Sequence, residues 1–278
     1  MNPDLTQHNE IDEITHELMS AYVAGSKVAA PPSQRPGFNL DAAYAVEAEL
    51  KNLREAEGHK AVGRKVGYAN KAMWRVLKLE TLVWAHMYED TVHFSNSNSA
   101  TLTLPKARSL KIEPEIVFGI KEQVAGGKPD ANTALAAVEW LAMGFEIIDC
   151  PFLDWKFEPS DFVASFGVHA ALVVGERLRV GPDNIATLVD ALAKFRVRMS
   201  KNGEFVEEGS GRNSLKSPAL CLAELSTAIA KRFPDEPLSG GEIVSSGTLT
   251  AGHPLEVNNL WKAELEGLAL PPLMLHLE

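Results

Sequence analysis

Lys111-Ile112-Glu113-Pro114-Glu115-Ile116-Val117 sets two carboxylates two residues apart in a largely apolar stretch. In an extended strand, residues i and i+2 share a face. Glu113 and Glu115 therefore point one way, and Ile112, Pro114 and Ile116 the other. Two carboxylates side by side in a partly buried place repel, and each raises the other's pKa. Two readings follow. The pair is the solvated face of an amphipathic strand, or a divalent cation joins it, because hard ions such as Mg²⁺ take carboxylate oxygens as ligands.

A second acidic island weighs on that choice. Ala142-Met143-Gly144-Phe145-Glu146-Ile147-Ile148-Asp149 reads as a short buried strand with Glu146 inside an apolar run. A buried carboxylate without a partner is costly, so Glu146 needs an Arg, a Lys or the same ion as Glu113 and Glu115. Three carboxylates from two strands make an open oxygen-donor site, with positions left for water and a chelating substrate. With both islands in view the metal reading moves ahead. Asp149 faces opposite to Glu146 and is not counted as a ligand.

Working outward, Ile11, Ile14, Leu18, Ala21 and Tyr22 fall at helical spacing and predict an amphipathic helix near residues 10–24. Ala29 to Gly37 is a loop by composition. A second helix is predicted from Leu40 to Glu57, with Asn39 as N-cap and Gly58 ending it. After residue 60 the chain turns β-rich. A short helix is expected over Ala72–Leu79, with Met73, Val76 and Leu77 inward, and Ala125 to Pro129 reads as a turn. Asn132–Met143 is read as helical, with Glu139 outward. Lys194 to Ser200 alternates as a strand, and Asn202-Gly203 supplies a type I′ hairpin turn. A helix is expected over Pro218–Phe233, a strand over Ile243–Leu249, and closing strands over Lys262–Leu268 and Leu273–Leu277. The whole reads as an α+β chain: a helical N-terminal portion (1–60) joined to one β-rich catalytic domain (61–278) as a continuous unit.

The pairing of Ile-Glu-Pro-Glu-Ile (112–116) with Phe-Glu-Ile-Ile-Asp (145–149) resembles the fumarylacetoacetate hydrolase superfamily. Within it, the chain is similar to the 2-keto-4-pentenoate hydratase and 4-oxalocrotonate decarboxylase branch. Gly63-Arg64-Lys65-Val66-Gly67, Asp154-Trp155-Lys156-Phe157 and Gly241 to Thr250 carry the resemblance further. It implies the mixed β-roll or barrel of that family and Mg²⁺ or Mn²⁺ held by Glu113, Glu115 and Glu146. It also implies a small 2-oxo acid substrate and a homo-oligomer. Lys65, by residue type a surface lysine, is implied to face the substrate, pairing with its carboxylate or moving a proton. Ser246 and Thr250 are implied donors to the substrate carboxylate; hydroxyls at strand ends also commonly satisfy nearby backbone. The chain departs from the family pattern twice. An expected Asp is absent near residue 80, where Glu80 either substitutes or is a solvated helix-end residue. Ala164 to Ala170 carries Phe166 and Val168 where polar residues are usual. His169 there is either a new acid/base group or a residue packing at a strand start.

The 278 residues carry a net charge of −10, which argues against a nucleic-acid partner and requires a local positive site for an anionic substrate. Cys150 and Cys221 are the only cysteines and form no Cys-x-x-Cys pattern, so a disulfide or zinc site is not expected. No signal peptide or membrane span is evident, and a cytoplasmic protein is the expectation. The resemblance implies a metal-dependent lyase that hydrates a 2-hydroxydienoate or 2-oxo-enoate to a 4-hydroxy-2-oxo acid in aromatic-compound catabolism, with a decarboxylase or aldolase as a possible partner. The same electron sink serves a 4-oxalocrotonate-type decarboxylase or an acylpyruvate C–C hydrolase. A hydrolase needs a water-activating base, often a His–Glu pair, and none is evident near the N-terminal region. A non-catalytic partner subunit keeping the fold is the alternative of another class.

Overall fold

The computed structural model describes residues 3–95, 97–104, 109–124 and 127–278. Two helices lead, α1 (Pro3–Ala24) and α2 (Leu40–Ala56). As expected, Asn39 caps α2: its Oδ1 accepts the N–H groups of Asp41 and Ala42, which have no partner inside the helix. The chain then runs β1 (Ala61–Gly67), α3 (Lys71–Trp74), β2 (Val83–Tyr88), β3 (Val92–Phe94), β4 (Ser99–Leu102), β5 (Leu110–Ile120), α4 (Ala131–Ala136), β6 (Val138–Asp149), α5 (Pro159–Ala164) and β7 (His169–Val174). It continues with β8 (Leu178–Arg179), α6 (Ile185–Lys194), β9 (Arg196–Lys201), β10 (Glu204–Ser210), α7 (Pro218–Arg232), β11 (Ile243–Ser245), β12 (His253–Pro254), β13 (Leu260–Glu266) and β14 (Leu273–Leu277).

One sheet has the order β2-β1-β11-β5-β6-β7-β3, with β12 added on β5 and β8 on β6; a second runs β10-β9-β13-β14-β4. Parallel pairs (β1 with β11, β3 with β7, β4 with β14) sit among antiparallel ones, so the sheets are mixed. The Asn202-Gly203 turn joins β9 to β10 with φ of 54° and 88°, the positive values a type I′ hairpin requires.

β5 and β6 form the spine, paired in antiparallel register from Leu110↔Asp149 to Ile120↔Val138. Side chains on the two faces of a strand alternate. One face sends Ile112, Ile116, Phe118, Phe145 and Ile147 into the large core shared with α1, α2 and α7. The other is the inner face of the curl. Its floor is a separate apolar cluster of Met87, Val117, Ala142, Leu172 and Val174, and Glu113 and Glu146 stand opposite each other above that floor.

The curl itself follows from one contact. β1 and β6 are three strand spacings apart, about 14 Å on a flat sheet. Lys65 on β1 nonetheless meets Glu146 on β6 at 2.9 Å, a contact that side chains standing off the face of a flat sheet would not make, so the sheet wraps into a half-barrel.

Three local expectations need correction, and a fourth lies partly outside the described residues. The helix read over Asn132–Met143 stops at Ala136, and β6 begins at Val138, where pairing with β5 takes over. In the short α3 the buried side chain is Trp74, whose Nε1 donates to Tyr68 O; Met73 and Val76 are exposed. The strand read over Ile243–Leu249 ends at Ser245. Ala125 and Gly126 of the predicted turn lie outside the described residues. Among the described residues no helix is long and apolar enough to cross a membrane.

Candidate metal and substrate site

The registers dictate which side chains share the inner face. Lys65 pairs with Ser245, Ser245 with Val117, and Glu113 with Glu146. Directly paired residues project to the same side, and i+2 parity adds Glu115. The face therefore carries Lys65, Ser245, Glu115, Glu113 and Glu146 in one row across four strands.

Ligand oxygens of Glu113, Glu115 and Glu146 all lie within 4.8 Å of one another. Glu146 is fully buried. Its Oε2 meets Lys65 Nζ at 2.9 Å as an ion pair without hydrogen-bond alignment, and its Oε1 lies 2.9 Å from His169 Nδ1. Burial opposes its ionisation, but Lys65 and His169 together outweigh that and hold its carboxyl below the ordinary range. An ionised carboxylate only accepts, so the proton of that bond sits on His169 Nδ1. His169 Nε2 in turn lies 3.0 Å from Thr91 Oγ1.

Glu115 is held from one side. Ser245 Oγ donates to its Oε2 at 2.5 Å, and the Gly247 N–H donates to the same oxygen at 2.8 Å. Its Oε1 is buried with no partner. Burial, with Glu146 next in weight, raises its pKa well above the ordinary value. Desolvation also pushes Glu113 up to about 7, with Glu146 adding to the rise against the pull of Lys65 and Lys111. The backbone of Gly252 lies against Glu113: a Cβ there would stand 2.9 Å from Glu113 Oε1.

Three carboxylates thus lie together, one of them held by a buried lysine and a histidine, and one buried Glu115 oxygen is left without a donor. A buried acceptor left without a donor costs roughly 1–3 kcal/mol. An all-oxygen donor set with one open lone pair fits a hard divalent ion such as Mg²⁺ or Mn²⁺.

The other expected site residues divide. Lys65 is buried, its Nζ 4.8 Å from the Phe162 ring centroid and its stem against Gly167, where a Cβ would lie 2.7 Å from Lys65 Cδ. Phe166, Gly167 and Val168 all take positive φ (55°, 61° and 50°), which carries the chain past that stem. Phe166 packs on Tyr22 and Tyr88. His169 is buried with both ring nitrogens engaged, as a group that orients Glu146. Glu80 requires correction: its side chain is 87% exposed, paired with Lys231 at 3.2 Å, because it sits on the loop before β2 at the outer surface. Ser246 and Thr250 do not present free hydroxyls either. Ser246 donates to Ile116 O and Thr250 to Ala251 O. Sequence reasoning missed Ser245 and the Gly247 N–H. In the structure Ser245 has the parity of Ile243, which lies opposite Gly63 on the Lys65 face, a register that the three residues of β11 do not announce in the sequence.

A cavity of about 640 Å³ opens elsewhere, between α3, Arg212–Lys216 and α7; none of the carboxylates lines it.

Comparison with known proteins identifies the family. Over 251 residues the chain is 26% identical to 2-hydroxyhexa-2,4-dienoate hydratase of Comamonas testosteroni, covering 90% of this chain and 92% of that one. It is 27% identical over 268 residues to 4-oxalocrotonate decarboxylase of Pseudomonas sp. (strain CF600), covering 96% and 97%. In fold it is similar to 4-oxalocrotonate decarboxylase from Pseudomonas putida G7, complexed with magnesium and adipate, with a TM-score of 0.86, 22% identity and 98% of each chain covered. Residues 60–269 match the fumarylacetoacetate (FAA) hydrolase C-terminal family, and the chain belongs to that family.

Proposed function

We propose that the chain is a divalent-metal-dependent lyase that hydrates a 2-hydroxydienoate, through its 2-oxo-enoate form, to a 4-hydroxy-2-oxo acid. The observation that carries this is the convergence of Glu113, Glu115 and Glu146 around an unpartnered Glu115 oxygen, with Lys65 buried beside them. Those three residues would hold Mg²⁺ or Mn²⁺, which supplies Lewis acidity at the substrate's oxygens. Lys65, with three donor positions and Glu146 as its one ion-paired carboxylate among the described residues, has capacity left to pair with the substrate carboxylate or to carry a proton at Nζ. His169 and Thr91 fix Glu146, and Ser245 and Gly247 fix Glu115, so the ligand set is pre-oriented. The apolar floor beneath keeps bulk water from the inner end of the site.

A buried His–Glu pair does exist: Glu47 Oε1 lies 2.6 Å from His86 Nδ1. It does not serve a hydrolase here. His86 pairs with Arg64, the neighbour of Lys65, and so projects from the opposite face of β1–β2. The decarboxylase reading is the second one, supported by a relative of that name at 27% identity over nearly the whole chain. The relatives' names further suggest a role in aromatic-compound catabolism, and we expect a homo-oligomer.

The test is ultraviolet-monitored turnover of freshly generated 2-hydroxypenta-2,4-dienoate and 2-hydroxymuconate-type acids with Mg²⁺, with Mn²⁺ and with chelator. Metal-dependent loss of the dienol signal, with a 4-hydroxy-2-oxo acid as product, is the expected result. Carbon dioxide release moves the assignment to the decarboxylase. Bound metal with silence on the whole panel overturns both and supports a non-catalytic subunit.

A further inference from the structure

The cavity of about 640 Å³ between α3, the Arg212–Lys216 loop and α7 takes no part in the metal site, and its charge is opposite to that of the chain. Lys71 of α3, Lys128 ahead of α4, and Arg212 and Lys216 of the loop all line it, against the one carboxylate of Glu224. The chain as a whole carries a net charge of −10. None of the four cations has an ion-pair partner among the described residues. A neighbouring hollow of about 480 Å³, against Tyr44 and Trp84, is built otherwise. It is lined by Lys78, Lys231 and Arg232, but Lys231 meets Glu80 at 3.2 Å and Arg232 meets Asp41 at 2.7 Å. Two of its three cations are thus neutralised by carboxylates of the same lining.

The basic cavity is also shaped by a fixed backbone. Leu215 and Lys216 both take positive φ (49° and 72°), which L residues seldom adopt. Three bonds hold them there: Ser214 Oγ donates to Ser246 O at 2.6 Å, Asn213 Nδ2 to Leu249 O at 2.7 Å, and the Leu215 N–H to Ala69 O at 3.0 Å. Arg212 and Lys216 therefore stand on an anchored loop with their side chains exposed. From α7 the cavity takes Leu220, Ala223, Glu224 and Thr227, one stripe at helical spacing. Leu220 is an exposed apolar side chain. Glu224 accepts from Thr81 Oγ1 at 2.5 Å and has lone pairs left, and Thr227 Oγ1, which donates to Ala223 O, is free to accept. The lining thus offers unpaired positive charge, an apolar patch and acceptors for hydroxyl donors.

We propose that this cavity binds a phosphorylated organic anion with a hydroxylated body, of the size of a nucleoside diphosphate. Its phosphates would lie at Lys71, Lys128, Arg212 and Lys216, and its hydroxyls toward Glu224 and Thr227. Pockets of roughly 300–1,000 Å³ take ligands of this size. A phosphate monoester brings roughly 1.5–2 negative charges where a carboxylate brings one, and an arginine engages it through two parallel N–H donors. Four cations without partners therefore suit phosphates better than a single carboxylate. The site is separate from the three glutamates and does not depend on the lyase reading.

The probes are adenosine diphosphate, fructose 1,6-bisphosphate, pyrophosphate and citrate, each titrated calorimetrically into the full chain. Chelator is present, so that no ion at the glutamates draws phosphate, and salt is kept at about 0.15 M to screen loose surface attraction. Adenosine diphosphate or fructose 1,6-bisphosphate should bind once per chain, about tenfold or more tighter than citrate and than pyrophosphate, which has no body. The tighter of the two names the body as nucleoside or sugar. The double variant Arg212→Gln, Lys216→Gln should weaken that binding about tenfold or more, as loss of charge-assisted bonds does. The double variant Lys71→Gln, Lys128→Gln should do the same, and a pair that fails to fold leaves the other to decide. Lys231→Gln, in the neighbouring hollow, should change nothing. No binding of either organic phosphate overturns the proposal, as does citrate or pyrophosphate binding as tightly. Binding that is unchanged in a folded double variant also overturns it, because the phosphates would then lie elsewhere.

Discussion

The β1–β2 hairpin holds a buried polar cluster on each of its faces, and the two are built differently. Behind the hairpin, Glu47 accepts from the His86 backbone N–H and lies 2.6 Å from its Nδ1, while Arg64 is ion-paired with Glu242. Two carboxylates meet two basic side chains, and although burial opposes ionisation, His86 and then Arg64 pull the Glu47 carboxyl below its ordinary range. In front, three carboxylates meet one lysine and one histidine. Two of the three are pushed above their ordinary range by burial, and one oxygen is left without a partner. A cluster with matched charges stabilises the fold even though Arg64 Nε is left without a partner; a cluster short of positive charge is organised around something it has yet to bind. The front is thus a place where stability is given up for function.

The sharpest way to break that distinction is Glu115→Gln. Ser245 Oγ and the Gly247 N–H would still find an acceptor, so the fold is kept. We expect turnover to fall about a thousandfold or more, the several kcal/mol a catalytic metal supplies. We also expect the melting temperature in chelator at pH 8 to rise, because a repelling charge has gone. A lower melting temperature with metal affinity intact would make the front cluster structural.

The mirror test is Glu47→Ala. It strips His86 of its partner and should cost about 3–5 kcal/mol of folding stability, as when a buried pair loses one member. Mn²⁺ affinity, measured by electron paramagnetic resonance on the folded protein, should not change. A loss of metal affinity parallel to the loss of stability would join the two faces into one unit.

How much of this was legible beforehand depends on the range of the interaction. Glu113 and Glu115 share a face because of a two-residue period, which is local and readable. Glu146 announced itself as a carboxylate in an apolar run. The direct pairing of Glu113 with Glu146 was not readable, because register between strands some thirty residues apart is set by the packing of both faces. Ser245 lost to Ser246 for a related reason. β11 is three residues long, too short for its parity to show, and it was read four residues too far. Beyond Ser245 the backbone leaves the ladder, and Ser246 spends its hydroxyl on Ile116 O. Likewise Val138 to Met143 continues a helical spacing on paper, but pairing with β5 overrides propensity. The fold class survived these slips because it rests on the run of apolar strands and the leading helices rather than on any one boundary.

A smaller perturbation tests the supports of the ligands. His169→Ala removes the ring that holds Glu146 Oε1 without touching a ligand oxygen. Loss of such a support typically costs 10–100-fold in metal affinity, and we expect Mn²⁺ binding to weaken within that range. If turnover at saturating Mn²⁺ falls as well, and its pH profile changes shape, His169 acts on the substrate directly and not through Glu146.

The gentlest probe is pH, and here the two faces should respond with opposite sign. Glu113 titrates near 7 in the fold against an ordinary value of 4.5, and Glu115 is displaced the same way. Between those values the native state keeps protons that the unfolded chain has released, so for these two groups stability falls as pH rises through the window. Glu47, held below its ordinary value, contributes stability that is present above about 4.5 and is lost only as pH falls through its lower folded pKa. In chelator, then, raising pH from 5 to 8 should lower the melting temperature through the front cluster alone, and Glu115→Gln should flatten the slope. Metal binding needs those carboxylates ionised and releases their protons. At fixed Mg²⁺ the stabilisation over the chelated protein should therefore grow with pH across the same window, and a metal effect independent of pH would mean that the ion binds somewhere other than at these three glutamates.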